Sequence, residues 1–141
     1  MEKGSYISYM KISYAITVCN ELDEIKHLIP FLQDHRRKED EVVVLLDKPK
    51  ASQELVDFLY RCSSANIITL KESEFKGHFA DWKNELNSLC TGDYIFQLDA
   101  DEQPTIELIE SLPLLVDQGV DIILVPRNNT VKGLTSEHIQ K

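Results

Sequence analysis

The stretch EVVVLLD, residues 41–47, decides the fold class of this chain. Its apolar residues form an unbroken run between two acidic ones, and the first three of them are β-branched. A strand covered on both faces needs such a run, whereas a strand with one wet face alternates apolar and polar residues. The stretch therefore predicts a central strand of a parallel sheet.

On either side of this strand, strand patterns alternate with helical ones. The further predicted strands are residues 12–19, 66–70, 94–99 and 121–126. Helical apolar spacing marks residues 22–35, a segment after Ser52, a segment from Phe79 to a stop near Gly92, and a segment from Pro104 that Pro113 kinks or splits. The alternation predicts an α/β protein with a mostly parallel, Rossmann-like sheet flanked by helices.

Length and composition limit the classes of function. A chain of 141 residues predicts one domain, residues 1–141. A net charge of -9 without a basic stripe argues against a nucleic-acid partner. The chain starts without the apolar stretch of a signal peptide, and its longest apolar run, residues 42–46, is far too short to span a membrane. With three scattered cysteines that suggest no disulfide framework, these features predict a cytoplasmic protein.

Acidic residues follow the predicted strand 94–99 in the sequence DADE, residues 99–102. Ligands of parallel α/β sheets bind beyond the carboxyl ends of the strands. In an extended chain Asp99 and Asp101 point to the same side, so both carboxylates can face one ion. Hard oxygen ligands suit Mg²⁺ or Mn²⁺. Two interpretations stay open from these residues alone, a solvated turn and a divalent metal site.

Other phosphate-binding devices are missing from the sequence. It has neither a Gly-x-Gly-x-x-Gly motif after the first strand nor a Gly-Lys-Ser/Thr motif, and its glycines are too few for a glycine-rich cradle. A dehalogenase-like phosphatase would carry its Asp-x-Asp pair after the first strand, whereas here the pair follows the fourth. These observations argue against dinucleotide cofactors and P-loop chemistry.

Three segments together resemble glycosyltransferase family 2, whose members have the GT-A nucleotide-binding fold. They are ITVCNELDEI at residues 16–25, EVVVLLDKP at 41–49 and FADWKNELNSLCTGDYIFQLDADEQPT at 79–105. The sequence is most similar to members related to lipopolysaccharide-core glucosyltransferases and to phage and bacterial surface-sugar proteins. The resemblance covers the nucleotide-binding part of the family.

The resemblance implies a reaction and the residues that serve it. A metal-dependent enzyme would transfer a sugar, with inversion, from a nucleoside-diphosphate sugar, with a UDP-sugar as the expected donor, to a hydroxyl of a glycan, lipid-linked or protein acceptor. Asp99 and Asp101 would bind Mn²⁺ or Mg²⁺, and Asp99 would also contact the nucleotide. The other nucleotide-binding residues would be Thr17, Asn20, Glu21, Asp47, which bonds the base, and Lys83. Strand packing, helix capping and solvation remain the alternative roles of these residues.

The chain ends at Lys141, before the acceptor-binding half that the resemblance implies. We therefore expect a donor-binding domain whose catalytic base lies outside it, with Glu102 supporting the metal pair or facing solvent. An uncovered edge of the fourth strand would favour a homo-oligomer. The alternative function is a non-catalytic nucleotide-binding or interaction module. A sugar nucleotidyltransferase ranks third, because the glycine-rich basic loop it needs after the first strand is missing.

Overall fold

The computed structural model describes residues 10–117, so the predicted strand 121–126 lies outside the described residues. Within this part, the order of elements confirms the predicted alternation of strands and helices. None of the helices in residues 10–117 has the length and apolarity needed to cross a lipid bilayer. In chain order the elements are β1 (Ile12–Val18), α1 (Leu22–His35), β2 (Glu41–Asp47), α2 (Gln53–Ser64), β3 (Thr69–Ser73), α3 (Phe79–Ser88), β4 (Tyr94–Asp99) and α4 (Ile106–Asp117).

The strands form one parallel sheet in the order β3-β2-β1-β4. The chain adds strands on one side of β1 up to β3 and then crosses to the other side for β4. The strand order therefore reverses between β1 and β4, which is where α/β sheets open a crevice for ligands. In the register of this pair, Thr17 lies opposite Asp99.

Both faces of β2 are covered, as its unbroken apolar run predicts. Val42, Val44 and Leu46 belong to the larger core, which includes buried residues of α1, α2 and α4. Val43 and Leu45 belong to a smaller core with residues of α3. Because successive side chains of a strand point to opposite faces, the sheet lies between α3 and the other three helices.

Two predicted helix boundaries had different outcomes. Ser52 caps α2, since its hydroxyl oxygen accepts a hydrogen bond of 3.2 Å from the amide of Leu55, and this prediction is confirmed. Gly92 does not end α3, which stops at Ser88. The amide of Gly92 instead donates to Ser13 Oγ at 2.8 Å, and a Cβ at this position would lie 2.6 Å from that oxygen. Close backbone approach, rather than a helix stop, requires the glycine.

The prolines near α4 also depart from prediction. The helix begins at Ile106, after Pro104, and the hydroxyl oxygen of Thr105 accepts from the amide of Leu108 at 3.1 Å. Thr105 is therefore the N-cap, and Pro104 precedes the helix instead of lying in its first turn. Pro113 lies inside one continuous helix, so the predicted split is wrong. Buried neighbours such as Leu112 hold the helix together across the missing amide hydrogen bond.

The third strand lies three residues later than its apolar pattern predicts. Asn66 has a positive φ of 63°, and the amide of Ile67 bonds to the carbonyl of Cys62, so this segment completes the end of α2. The strand then pairs with β2 as far as Ser73, which lies opposite Asp47. In the described sheet β3 is an outermost strand, so it tolerates polar residues. An apolar pattern therefore does not reveal its bounds.

Candidate functional site

A cleft of about 350 Å³ lies at the carboxyl edge of the sheet, where β1 and β4 end. It brings together six of the seven predicted site residues and leaves out Asn20. Strand ends supply one wall, and the start of α3 supplies another. The lining residues are Thr17, Val18, Cys19, Glu21, Asp47, Lys50, Phe75, Phe79, Trp82, Lys83, Asp99, Ala100 and Asp101.

Asp99 connects the two sides of this cleft. Its Oδ1 accepts a hydrogen bond from the hydroxyl of Thr17 at 3.3 Å. The ammonium of Lys83 reaches the same oxygen from α3 at 3.2 Å. The register of β1 and β4 places the first partner, and the packing of α3 on the sheet places the second.

The acidic sequence after β4 forms a tight turn. The amide of Glu102 donates to the carbonyl of Asp99 at 3.0 Å, and the amide of Asp99 donates to Glu102 Oε1 at 2.7 Å. Asp101 therefore lies in a turn rather than in extended chain, so the geometry predicted for the pair is wrong. The turn nonetheless leaves Asp101 exposed, and both aspartates line the cleft. Glu102 stabilises the turn that presents them.

The loop after β1 is held by its own side chains. Glu21 Oε1 accepts hydrogen bonds from the amides of Cys19 at 2.8 Å and Asn20 at 3.1 Å. Asn20 Oδ1 accepts from the amide of Ser52 at 3.1 Å, which ties this loop to the start of α2. Asn20 thus fixes the loop beside the cleft without lining the cleft, whereas Glu21 both fixes the loop and lines the cleft.

Asp47 is a buried carboxylate at the end of β2, with 4% of its surface exposed. Its Oδ1 accepts from the amide of Phe75 at 3.1 Å, and the thiol of Cys19 lies 4.0 Å from its Oδ2. The pKa of Cys19 is raised, first by burial and then by the charges of Asp47 and Glu21. Asp47 therefore links the loops that follow β1 and β3.

The cleft also contains residues that the sequence analysis did not assign to a site: Val18, Cys19, Lys50, Phe75, Phe79, Trp82 and Ala100. Phe79 begins the segment with helical apolar spacing, but 72% of its surface is exposed. It is the first residue of the helix, in the turn that extends past the sheet edge. Lys50 ends a short 3₁₀ turn directly after β2. Applying to the segment after β2 the strand-end rule that drew attention to residues 99–102 would have found Lys50.

The charges in the cleft favour a cation. Its lining carries four carboxylates and two ammonium groups, so an anionic ligand meets net repulsion unless a cation accompanies it. In residues 10–117 no group of three or more His, Cys, Asp or Glu side chains is placed to hold a metal. Mg²⁺ sites commonly use only one or two carboxylates, with waters and substrate phosphates completing the shell. The oxygen donors of Asp99 and Asp101 fit that kind of site.

A parallel sheet with a cleft at its point of strand reversal is the arrangement in which α/β domains commonly bind ligands, at the carboxyl edge of the sheet. The model of the family described as Glycosyl transferase family 2 matches residues 13–140, and the chain belongs to this family. The resemblance seen in the sequence is confirmed. Comparison with curated protein sequences finds no match.

Solved structures of glycosyltransferases share the fold. The crystal structure of S. aureus TarS has a TM-score of 0.62 at 21% identity, over 81% of this chain and 21% of TarS. The structure of S. aureus TarS 1-349 in complex with UDP gives 0.61 at 22% identity, over 77% of this chain and 32% of that one. The mannosyltransferase PcManGT from Pyrobaculum calidifontis, in complex with GDP-Man and Mn²⁺, gives 0.60 at 22% identity, over 79% and 34%.

These likenesses confirm the predicted GT-A type of fold. The chain spans about a fifth to a third of the length of these structures, between 21% and 34%. The family match places the chain in glycosyltransferase family 2, and the solved structures show the same type of fold.

Proposed function

We propose that this domain binds a nucleoside-diphosphate sugar in the cleft, together with Mn²⁺ or Mg²⁺, and serves sugar transfer to an acceptor hydroxyl with inversion. One observation carries the proposal: four polar side chains converge in the cleft where β1 and β4 end. They are Thr17, Lys83, Asp99 and Asp101. Solved structures with the same fold hold UDP, UDP-GlcNAc, or GDP-Man with Mn²⁺, which supports the donor class.

The acidic turn and Lys83 would bind the diphosphate end of the donor. Asp101 is exposed at the turn, and Asp99 lines the same cleft, so the two would hold the metal by oxygen atoms alone. The metal, when bound, supplies Lewis-acid stabilisation of the charge that develops on the leaving diphosphate. The ammonium of Lys83 adds a second positive charge at the same place.

The β1 and β2 ends would bind the nucleoside. Asp47 would accept a hydrogen bond from the base, since its carboxylate lines the cleft from a buried position. Thr17 and Glu21 would line the pocket beside it. Asn20 would act by fixing the loop against α2. We expect a UDP-sugar as the donor.

Deprotonation of the acceptor hydroxyl needs a carboxylate on the acceptor side. We propose that this base lies outside residues 10–117. Glu102, which follows the aspartate pair, is not assigned to the role because its Oε1 already accepts from the amide of Asp99. A cytoplasmic location and self-association through the β4 edge complete the proposal. A clean monomer in size-exclusion chromatography at high concentration would contradict the self-association.

Calorimetric titration of nucleoside diphosphates with and without Mn²⁺ tests the donor site. Asp101→Asn is expected to weaken the metal-dependent binding at least tenfold, or about 1.4 kcal/mol. Asp57→Asn removes the same charge from the exposed face of α2 and is expected to change nothing. Equal affinities of wild type and Asp101→Asn would refute the assignment of the site. Binding without turnover of any UDP-sugar in the presence of acceptors would favour a non-catalytic module.

A further inference from the structure

The most exposed large apolar side chain in residues 10–117 lies in the cleft. Phe79 has 72% of its surface accessible, whereas the other exposed large apolar residues in this range reach at most 45%. A phenylalanine left in water forgoes the stabilisation that burial of its ring would give. Its placement among the groups that line the cleft suggests that a ligand covers it.

Phe79 is one side of an ordered aromatic group, Phe75, Phe79 and Trp82, which we call the aromatic shelf. The ring centroids of Phe75 and Phe79 are 4.9 Å apart, and those of Phe75 and Trp82 are 5.6 Å apart with the planes at 71°. Trp82 is only 8% exposed and belongs to the core beneath α3. The shelf is therefore anchored at one end and open at the other.

Polar groups adjoin the shelf on both sides. The amide of Phe75 bonds to Asp47 Oδ1, which brings the shelf next to the buried carboxylate at the end of β2. Lys83 follows Phe79 by four residues and so lies on the same side of α3, from where it reaches Asp99. A ligand on the shelf would thus lie next to the hydrogen-bond-accepting carboxylate of Asp47 on one side. On the other side it could extend toward the acidic turn.

We propose that the aromatic shelf stacks the nucleobase of the donor, with Phe79 supplying the exposed ring face. This inference rests on the proposed function and names the residue that binds the base. A nucleobase offers a flat π face to the shelf and N–H donors to Asp47, whereas a sugar ring offers hydroxyl groups around a small C–H face. The transferred sugar must also remain open to its acceptor, while the base can be enclosed without cost to the reaction.

The test compares ligands that contain the base with one that lacks it. UDP, GDP and inorganic pyrophosphate, each with Mn²⁺, are titrated calorimetrically into wild type, Phe79→Ala, Phe79→Leu and Phe79→Tyr. Phe79→Ala and Phe79→Leu are expected to lose about tenfold in affinity for UDP and GDP, a typical loss for one stacked base. Both should retain the affinity for pyrophosphate, and Phe79→Tyr should bind all three ligands like wild type.

Two further controls sharpen the result. Leu114→Ala removes another exposed apolar side chain, on α4 outside the cleft, and should leave every affinity unchanged. Trp82 is the only tryptophan of the chain, so its fluorescence reports on the shelf alone. UDP and GDP should alter its emission more than pyrophosphate does.

Several outcomes would overturn the inference. Unchanged affinity of Phe79→Ala for UDP and GDP would show that the shelf does not bind the base, and it would leave the proposed function intact. An equal loss for pyrophosphate would mean that Phe79 acts on the diphosphate site. A UDP-sugar is titrated in the same way, and a loss of affinity confined to it, with UDP unaffected, would mean that the sugar and not the base lies on the shelf. Failure of the wild type to bind any nucleoside diphosphate would refute the proposed function as well.

Discussion

Lys83 and Asp99 form an ion pair across the cleft, with the ammonium nitrogen 3.2 Å from Oδ1. The pair is partly accessible, at 20% of the lysine and 38% of the aspartate side chain. Thr17 donates to the same oxygen, so Oδ1 of Asp99 already has two partners before any ligand binds. Asp101 lies exposed in the turn two residues later. The two aspartates therefore differ in environment although they share a cleft.

Replacement of Lys83 by Met should separate metal binding from nucleotide binding. Without the ammonium, Asp99 is freer to attract a cation, so the affinity for Mn²⁺ alone should rise about two- to fivefold, the range of a partly exposed ion pair. The affinity for UDP with Mn²⁺ should fall, because a positive charge near the diphosphate is lost. Calorimetry with Mn²⁺ alone and with UDP measures both effects.

Lys38→Met is the matched control for this change. Lys38 is exposed in the segment between α1 and β2, away from the cleft, so its loss should affect neither affinity. A Lys83→Met protein whose affinity for Mn²⁺ alone stays the same or falls would contradict the charge competition inferred here.

Cys19 should react slowly with alkylating reagents at neutral pH. Burial raises the pKa of its thiol, and Asp47 and Glu21 raise it further, so less of the reactive thiolate is present at neutral pH than in an ordinary cysteine. The rate of iodoacetamide labelling should therefore keep rising at pH values where an ordinary cysteine has levelled off. Asp47→Asn removes one of the charges and should speed labelling severalfold at a fixed pH near 8.

Peptide mass spectrometry follows this reaction at each cysteine separately. Cys90 lies just past the end of α3, near the opposite edge of the sheet, and serves as the internal reference whose rate Asp47→Asn should leave unchanged. Slower labelling of Cys19 in Asp47→Asn would show that the carboxylate does not suppress the thiolate.

Gly92→Ala should destabilise the domain. The added Cβ would lie 2.6 Å from Ser13 Oγ and 2.8 Å from its backbone nitrogen, so the start of β1 must shift. Overpacking of this kind costs about 1–3 kcal/mol, which lowers the Tm by several degrees in a domain of this size.

Thermal unfolding monitored by circular dichroism measures the difference. Ser64→Ala, on the exposed surface at the end of α2, should stay within about 0.5 kcal/mol of wild type. A Gly92→Ala protein as stable as wild type would mean that Ser13 can move away from the added Cβ without a cost in the free energy of unfolding.

Elements defined by their own residues were predicted closely. The bounds of α1, β2 and β4 agree with those expected, because unbroken apolar runs and 3.6-residue spacing are local consequences of what each segment buries. The strand-end rule, applied to the acidic residues after β4, also located the cleft, since parallel strands place their carboxyl ends at one edge, and the residues that the resemblance implied lie at the same edge. Thr17, Asp47, Asp99 and Asp101 all reach it.

Errors occurred where distant contacts decide. The apolar pattern placed β3 too early, because its bounds follow from pairing with β2. Gly92 looked like a helix stop, but Ser13, far away in sequence, requires it. Phe79 continues the apolar spacing of its helix, yet the helix extends past the sheet and leaves this ring in the cleft.

The sequence by itself determined the alternating α/β order, the family, and the acidic residues that follow the fourth strand. Local spacing and strand-end chemistry encode these features because each depends on neighbours along the chain. Only the tertiary structure decided that Lys83 and Thr17 share one oxygen of Asp99, that Asn20 bonds to the start of α2, and that Phe79 lines the cleft. Those contacts follow from strand register and helix packing, which join residues that no local pattern connects.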